Sequence, residues 1–160
     1  MSLDWHTAYL NQARADYERY LELSKRDEVP VCYQLQYLQM ATEKLAKSFL
    51  SSAAGTRPPR VHDAFVEFVT VAKRRDDLRR LSGYTKSSQF RAYVSSLLPK
   101  AREVEDLSPE GPDHPNPEYP WDVGGIIISP LDYEFSSLDP KKDTRMRKLI
   151  EFIEDCFRLS

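Results

Sequence analysis

In the run Arg57-Pro-Pro-Arg-Val-His62, a guanidinium and an imidazole stand with four residues between them. A histidine titrates near neutrality and can take or give a proton at a reacting oxygen. An arginine can hold a phosphate through two parallel hydrogen bonds and offset negative charge as it builds. Arg57 and His62 are therefore the candidate pair for phosphoester chemistry without a metal, with Arg60 as a second phosphate contact. Downstream, Lys73, Arg74 and Arg75 could grip nucleic-acid phosphates. Asp76 and Asp77 interrupt that cluster, so a solvated helix end is its other reading.

Gln36, Gln39, Glu43 and Lys47 recur at steps of three and four residues, which places them on one line of a helix. The line could face a cleft that binds a nucleotide or another polar ligand. Its alternative is a half-buried hydrogen-bond network that sets helix register. Tyr119 and Trp121 could stack a base or anchor a partner, or staple their own segment to the fold. Glycine-rich phosphate loops, HExxH, CxxC and nucleophile elbows are all missing, so ordinary kinase or hydrolase chemistry has no support. Cys32 and Cys156 lie far apart, as do His6, His62 and His114, so neither a metal site nor a cofactor is expected. That cysteine usage fits a reduced, cytoplasmic setting. A polar N-terminus and the lack of a long apolar run predict no signal peptide and no membrane span.

The net charge of −2 conceals an asymmetry. Residues 1–56 are net −1, residues 57–102 are net +7 and residues 103–160 are net −8. A basic middle third can serve a phosphate surface. It can equally attract the acidic third, within one chain or across a dimer.

These residues must be positioned by helices. One is predicted from Asp4 to Lys25, capped by Asp4, with Trp5, Ala8, Tyr9, Gln12, Ala13, Asp16, Tyr20 and Leu23 on its packed face. Pro30 opens a second, whose stripe is Val31, Leu35, Leu38, Thr42, Leu45 and Phe49 and whose C-cap is Gly55. A third runs from His62 or Asp63 to about Leu81 on Ala64, Phe65, Phe68, Val69 and Ala72. A fourth spans Lys86 to Leu107, with Pro99 expected to kink or split it. Residues 108–140 hold seven of the eleven prolines but also many aromatic and aliphatic residues. An ordered arm is predicted there, packed across the bundle, with a short strand or hairpin at Ile126–Ile128. A last helix covers residues 143–158. The expectation is one all-α domain over residues 1–160, an antiparallel four- to five-helix bundle with its core in 4–107 and its arm in 108–140.

The second helix and the loop after it resemble the HEPN family. The stretch that carries the resemblance is Gln36-x-x-Gln39-x-Ala41-x-Glu43-Lys44-x-x-Lys47, then His62 and, six residues on, Phe68. It covers residues 36–68 in motif and about 5–107 in topology. The resemblance implies a helical bundle, frequent homodimers, and roles in RNA cleavage, toxin–antitoxin systems, or nucleotide and partner binding. Many HEPN ribonucleases carry Arg-x4-6-His, with a composite site across the dimer, and Arg57 to His62 meets that spacing. Pro58 stands where that motif generally has a polar residue, and His62 comes after the second helix rather than at a later one. His62 could instead cap the third helix or bond near Glu43. Two functions are open: a metal-independent ribonuclease or RNA-linked module, and a non-catalytic module that recognises a protein or small polar ligand.

Overall fold

A computed structural model describes residues 3–51, 57–58, 63–108 and 115–159. The described chain is an all-α bundle with a short antiparallel hairpin before the last helix. Its elements are α1 (Trp5–Ser24), α2 (Val31–Leu50), α3 (Ala64–Ala72), α4 (Asp76–Leu81), α5 (Ser87–Glu105), β1 (Trp121–Val123), β2 (Ile126–Ile128) and α6 (Thr144–Leu159). Two 3₁₀ turns, Pro130–Asp132 and Ser136–Leu138, link β2 to α6.

The Asp4 carboxylate accepts the Thr7 amide at 2.7 Å and starts α1. The six-residue turn after Ser24 folds α2 back on α1, and the Lys44–Asp16 ion pair bridges them. Along α6, Phe157 O accepts from Arg14 at 2.7 Å and Glu154 accepts from Tyr17 at 2.9 Å, which sets α6 antiparallel to α1. Tyr93 donates to Lys148 O, and Lys100 pairs with Asp143 at 3.1 Å, which sets α5 antiparallel to α6. Phe49, Phe68 and Phe152 stack through the middle of the core. Among the described residues, no helix is long and apolar enough to cross a membrane.

The α3 face is buried as its spacing predicts: Ala64, Phe65, Phe68, Val69 and Ala72. The α1 face is not the predicted one. Leu10, Ala13, Tyr17 and Tyr20 are buried, whereas Trp5 is 40% exposed and Asp16 serves the ion pair with α2. The predicted third helix is two helices, because the chain leaves helical geometry at Arg75 (ψ 109°) before Asp76 restarts it. Helix α2 ends at Leu50 with Ser51 as its C-cap, so Gly55, outside the described residues, does not close it. Helix α5 runs through Pro99 without a break.

Trp121 anchors the arm: it is 5% exposed and meets Tyr133 edge-on, with Phe135 beside it. Tyr119 is no anchor. Asn116 Oδ1 accepts the amides of Glu118 and Tyr119, and this tight local turn leaves the Tyr119 ring 60% exposed. The hairpin pairs Trp121 with Ile128, Asp122 with Ile127 and Val123 with Ile126. Gly124 and Gly125 both take positive φ (59° and 86°), the backbone a tight two-residue turn demands. Ile126 and Ile127 are exposed on the two opposite faces, so this part of the arm projects rather than packs.

Candidate functional site

The basic residues gather where α1 begins, α2 ends and the α3–α4 turn meets the start of α5. Arg57 is exposed, its guanidinium carbon 5.5 Å from the centre of the Trp5 ring. His6, next in the chain to Trp5, donates from Nδ1 to Ser48 O at 2.8 Å and meets the Phe49 ring edge-on. The Arg75 guanidinium lies 4.9 Å over that same Phe49 ring. Trp5, His6, Phe49, Arg57 and Arg75 thus share one surface that combines cations with aromatic faces. His62 and Arg60 lie outside the described residues.

Next to Arg75 a pocket of about 170 Å³ opens between the α3–α4 turn and the first turn of α5. Lys73, Arg74, Arg75, Arg79, Ser87 and Arg91 contribute to its wall. Two of these cations are already engaged. Arg75 makes a two-pronged contact to Asp77 (2.7 and 3.2 Å), and Arg79 bonds Asp76 at 2.7 Å and Tyr84 O at 2.6 Å. Asp76, the acid in the wall, is further occupied by Arg80 at 2.6 Å. These contacts hold the Asp76 and Asp77 carboxyls below the usual carboxylate range. Lys73, Arg74 and Arg91 have no ion-pair partner among the described residues. No side chain caps α5, whose first-turn amides therefore add to the positive potential. The arrangement can bind an oxyanion through three free cations.

The Gln36–Lys47 line spends its hydrogen-bonding groups locally. Gln39 donates to Glu43 Oε2 at 3.2 Å, and Lys47 donates to Glu43 Oε1 at 2.5 Å. Gln36 donates to Pro117 O at 3.3 Å, tying α2 to the arm. This is the geometry of a network that sets register and holds the arm.

Two buried charges sit apart from the basic surface. The Glu105 side chain is 6% exposed; its Oε1 accepts the Phe65 amide at 2.8 Å, while Oε2 has no hydrogen-bond partner. Burial pushes this carboxyl up to about 7, against the backbone donors at the start of α3. Lys100, 7% exposed at its side chain, donates to Ser137 O at 2.7 Å and pairs with Glu103 and Asp143. Neither is reachable by a large substrate. Cys32 and Cys156 are buried free thiols, both pushed up by desolvation. Among the described residues, no three His, Cys, Asp or Glu side chains converge as a metal site would need.

Trp5, His6, Arg79, Ser87 and Arg91 belong to the site although their place in the sequence does not single them out for it. Arg79 and Arg91 carry a signal there, as members of the net +7 segment. His6 carries none, because its link to Ser48 spans 42 residues.

No protein-family model matches the chain, and neither a curated protein nor a solved structure matches it.

Proposed function

We propose that this chain is a HEPN-like helical module that binds the phosphate backbone of RNA, and that it works as a homodimer. The observation that carries the reading is the set of unpaired cations, Lys73, Arg74 and Arg91, around a pocket whose one acid is already spent on arginines. Arg57 over Trp5 and Arg75 over Phe49 extend this surface with stacking faces suited to unpaired bases. Cleavage belongs to the same reading: Arg57 would hold the scissile phosphate, and His62 would move the proton.

Fluorescence anisotropy with single-stranded RNA tests binding. Affinity should fall with salt at a log–log slope of about −2 if three phosphates are neutralised. Reversing Lys73, Arg74 and Arg91 to glutamate should cost at least about tenfold and flatten that slope. Affinity unaltered by the triple reversal sinks the reading. Metal-free RNA cleavage by the parent, lost in His62→Ala, is the outcome expected of the ribonuclease; equal cleavage in both, or none in the parent, leaves binding alone.

A further inference from the structure

The opposite end of the α1–α2 pair carries a larger concavity. A cleft of about 390 Å³ lies between the end of α1, the first turn of α2, the segment 134–142 and Ile150 of α6. That volume is at the lower end of the range for small-molecule sites.

Three features of its wall bear on a ligand. The first is Tyr20, which is 3% exposed and lines the cleft. Its ring packs on Tyr17, but its hydroxyl has no hydrogen-bond partner among the described residues. Buried phenols ordinarily find one. Among those residues, the one fully sealed and unpartnered side-chain oxygen or nitrogen is Glu105 Oε2, so the Tyr20 hydroxyl keeps some accessible surface, and the cleft supplies it. Burial pushes this phenol up to about 12, so it remains a donor that needs an acceptor. The second feature is the start of α2: Pro30 is its N-cap, no side chain caps it, and its first turn holds no acid. Its unsatisfied amides also call for an acceptor. The third is the floor of Val31, Leu35, Leu138 and Ile150, which is apolar.

The charges of the wall then set the valence of the head group. Arg26, Lys141 and Lys142 face Asp27, Glu134 and Asp139. Arg26 is taken by Glu28 at 2.8 Å, and Lys142 stands 3.7 Å from Glu134. Asp139 Oδ1 accepts the Lys141 amide. Among the described residues the Lys141 ammonium has no ion pair, and neither does Asp27. One free cation and balanced neighbours suit a single negative charge and oppose a dianion.

We propose that this cleft binds a small organic monocarboxylate, with its apolar body on the floor and its carboxylate between the Tyr20 hydroxyl, the first turn of α2 and Lys141. This site is independent of RNA binding and stands or falls separately.

The test uses the full chain and phenylacetate, with saturation-transfer NMR and calorimetry as readouts. Phenylacetamide and benzyl phosphate serve as the neutral and dianionic comparisons. Phenylacetate should bind saturably at millimolar concentration and more tightly than either comparison. Tyr20→Phe, which removes only the hydroxyl, should weaken it roughly tenfold with an unchanged circular dichroism spectrum. Lys141→Ala, at an exposed position that the fold does not need, should weaken it about threefold. No saturable binding, equal affinity in both variants, or tighter binding of benzyl phosphate overturns the proposal. Should Tyr20→Phe fail to fold, unaltered affinity in Lys141→Ala overturns it by itself.

Discussion

Glu105 is a carboxyl where a carboxylate is costly: it is 6% exposed and one of its oxygens has no donor. Its ordinary value of 4.5 is raised to about 7, desolvation outweighing the Phe65 and Val66 amides. Between those two values the folded chain holds a proton that the unfolded chain has released. Stability is therefore greatest from this group at low pH and falls as pH rises through that window, by about 3 kcal/mol once both states are ionised. Glu105→Gln keeps an acceptor for Phe65 but cannot ionise. Denaturant unfolding should find the variant more stable than the parent at about pH 8 and close to it at about pH 5. A parent whose stability does not fall over that range refutes the assignment. Lys100 is the opposite case, a buried cation with every donor direction served by Ser137 O, Glu103 and Asp143. Lys100→Ala should cost about 2 kcal/mol by the same measurement, because it strips the bond to Ser137 O and unpins the turn before α6. In the sequence both residues look like ordinary solvated helix charges, since what buries them comes from segments about 40 residues away.

At the scale of the elements, legibility tracks how strongly one face is apolar. Helix α3 reads directly because Phe65, Phe68 and Val69 leave one way to face the core. Helix α1 offers aromatic residues on several sides, and the face chosen depends on which tyrosine α6 can reach: Tyr17 meets Phe157 and Glu154 there. Spacing alone assigns Trp5 to the core, yet it lies at the helix start, where Arg57 covers it. The break between α3 and α4 has no proline or glycine to announce it; the Arg75 contacts to Phe49 and Asp77 fix its extended backbone. Three successive isoleucines announce β2, but they do not say which way it turns; the pairing with Trp121–Val123 across Gly124 and Gly125 decides that. Val123, Ile126 and Ile127 remain exposed, so the hairpin tip contributes little to the core. Gly125→Val, at φ 86°, should disorder that tip in amide exchange while global stability changes by less than about 1 kcal/mol. A large loss of global stability would mean that the tip is packed after all.

Over the whole molecule the charge asymmetry becomes an axis along α5. The start of this 19-residue helix faces the basic pocket with Ser87, Phe90 and Arg91, and its end meets the arm beside Glu103, Asp106 and Tyr133. The two ends are about 28 Å apart. The acidic arm residues Glu118, Asp122, Asp132 and Glu134 are all exposed, as is Arg91 at the other end. The direct links between the basic segment 57–102 and the acidic one include, at the arm end of the helix, Lys100 with Glu103 and Asp143 and Arg102 with Glu105. They leave the cations at the far end unneutralised. A chain of net charge −2 should thus bind a polyanion at neutral pH, because the approaching strand senses the local field and not the sum. With a Debye length of about 8 Å at physiological salt, the arm is several screening lengths away from the pocket. Neutralising Asp122, Asp132 and Glu134 to their amides should change RNA affinity by less than about twofold at that ionic strength, and by visibly more at low salt. Reversing Lys73, Arg74 and Arg91 should abolish it under both conditions. If the arm triple variant instead matched the basic one in effect at physiological salt, the RNA would have to span both ends, and the separation of the two surfaces along α5 would be the wrong description.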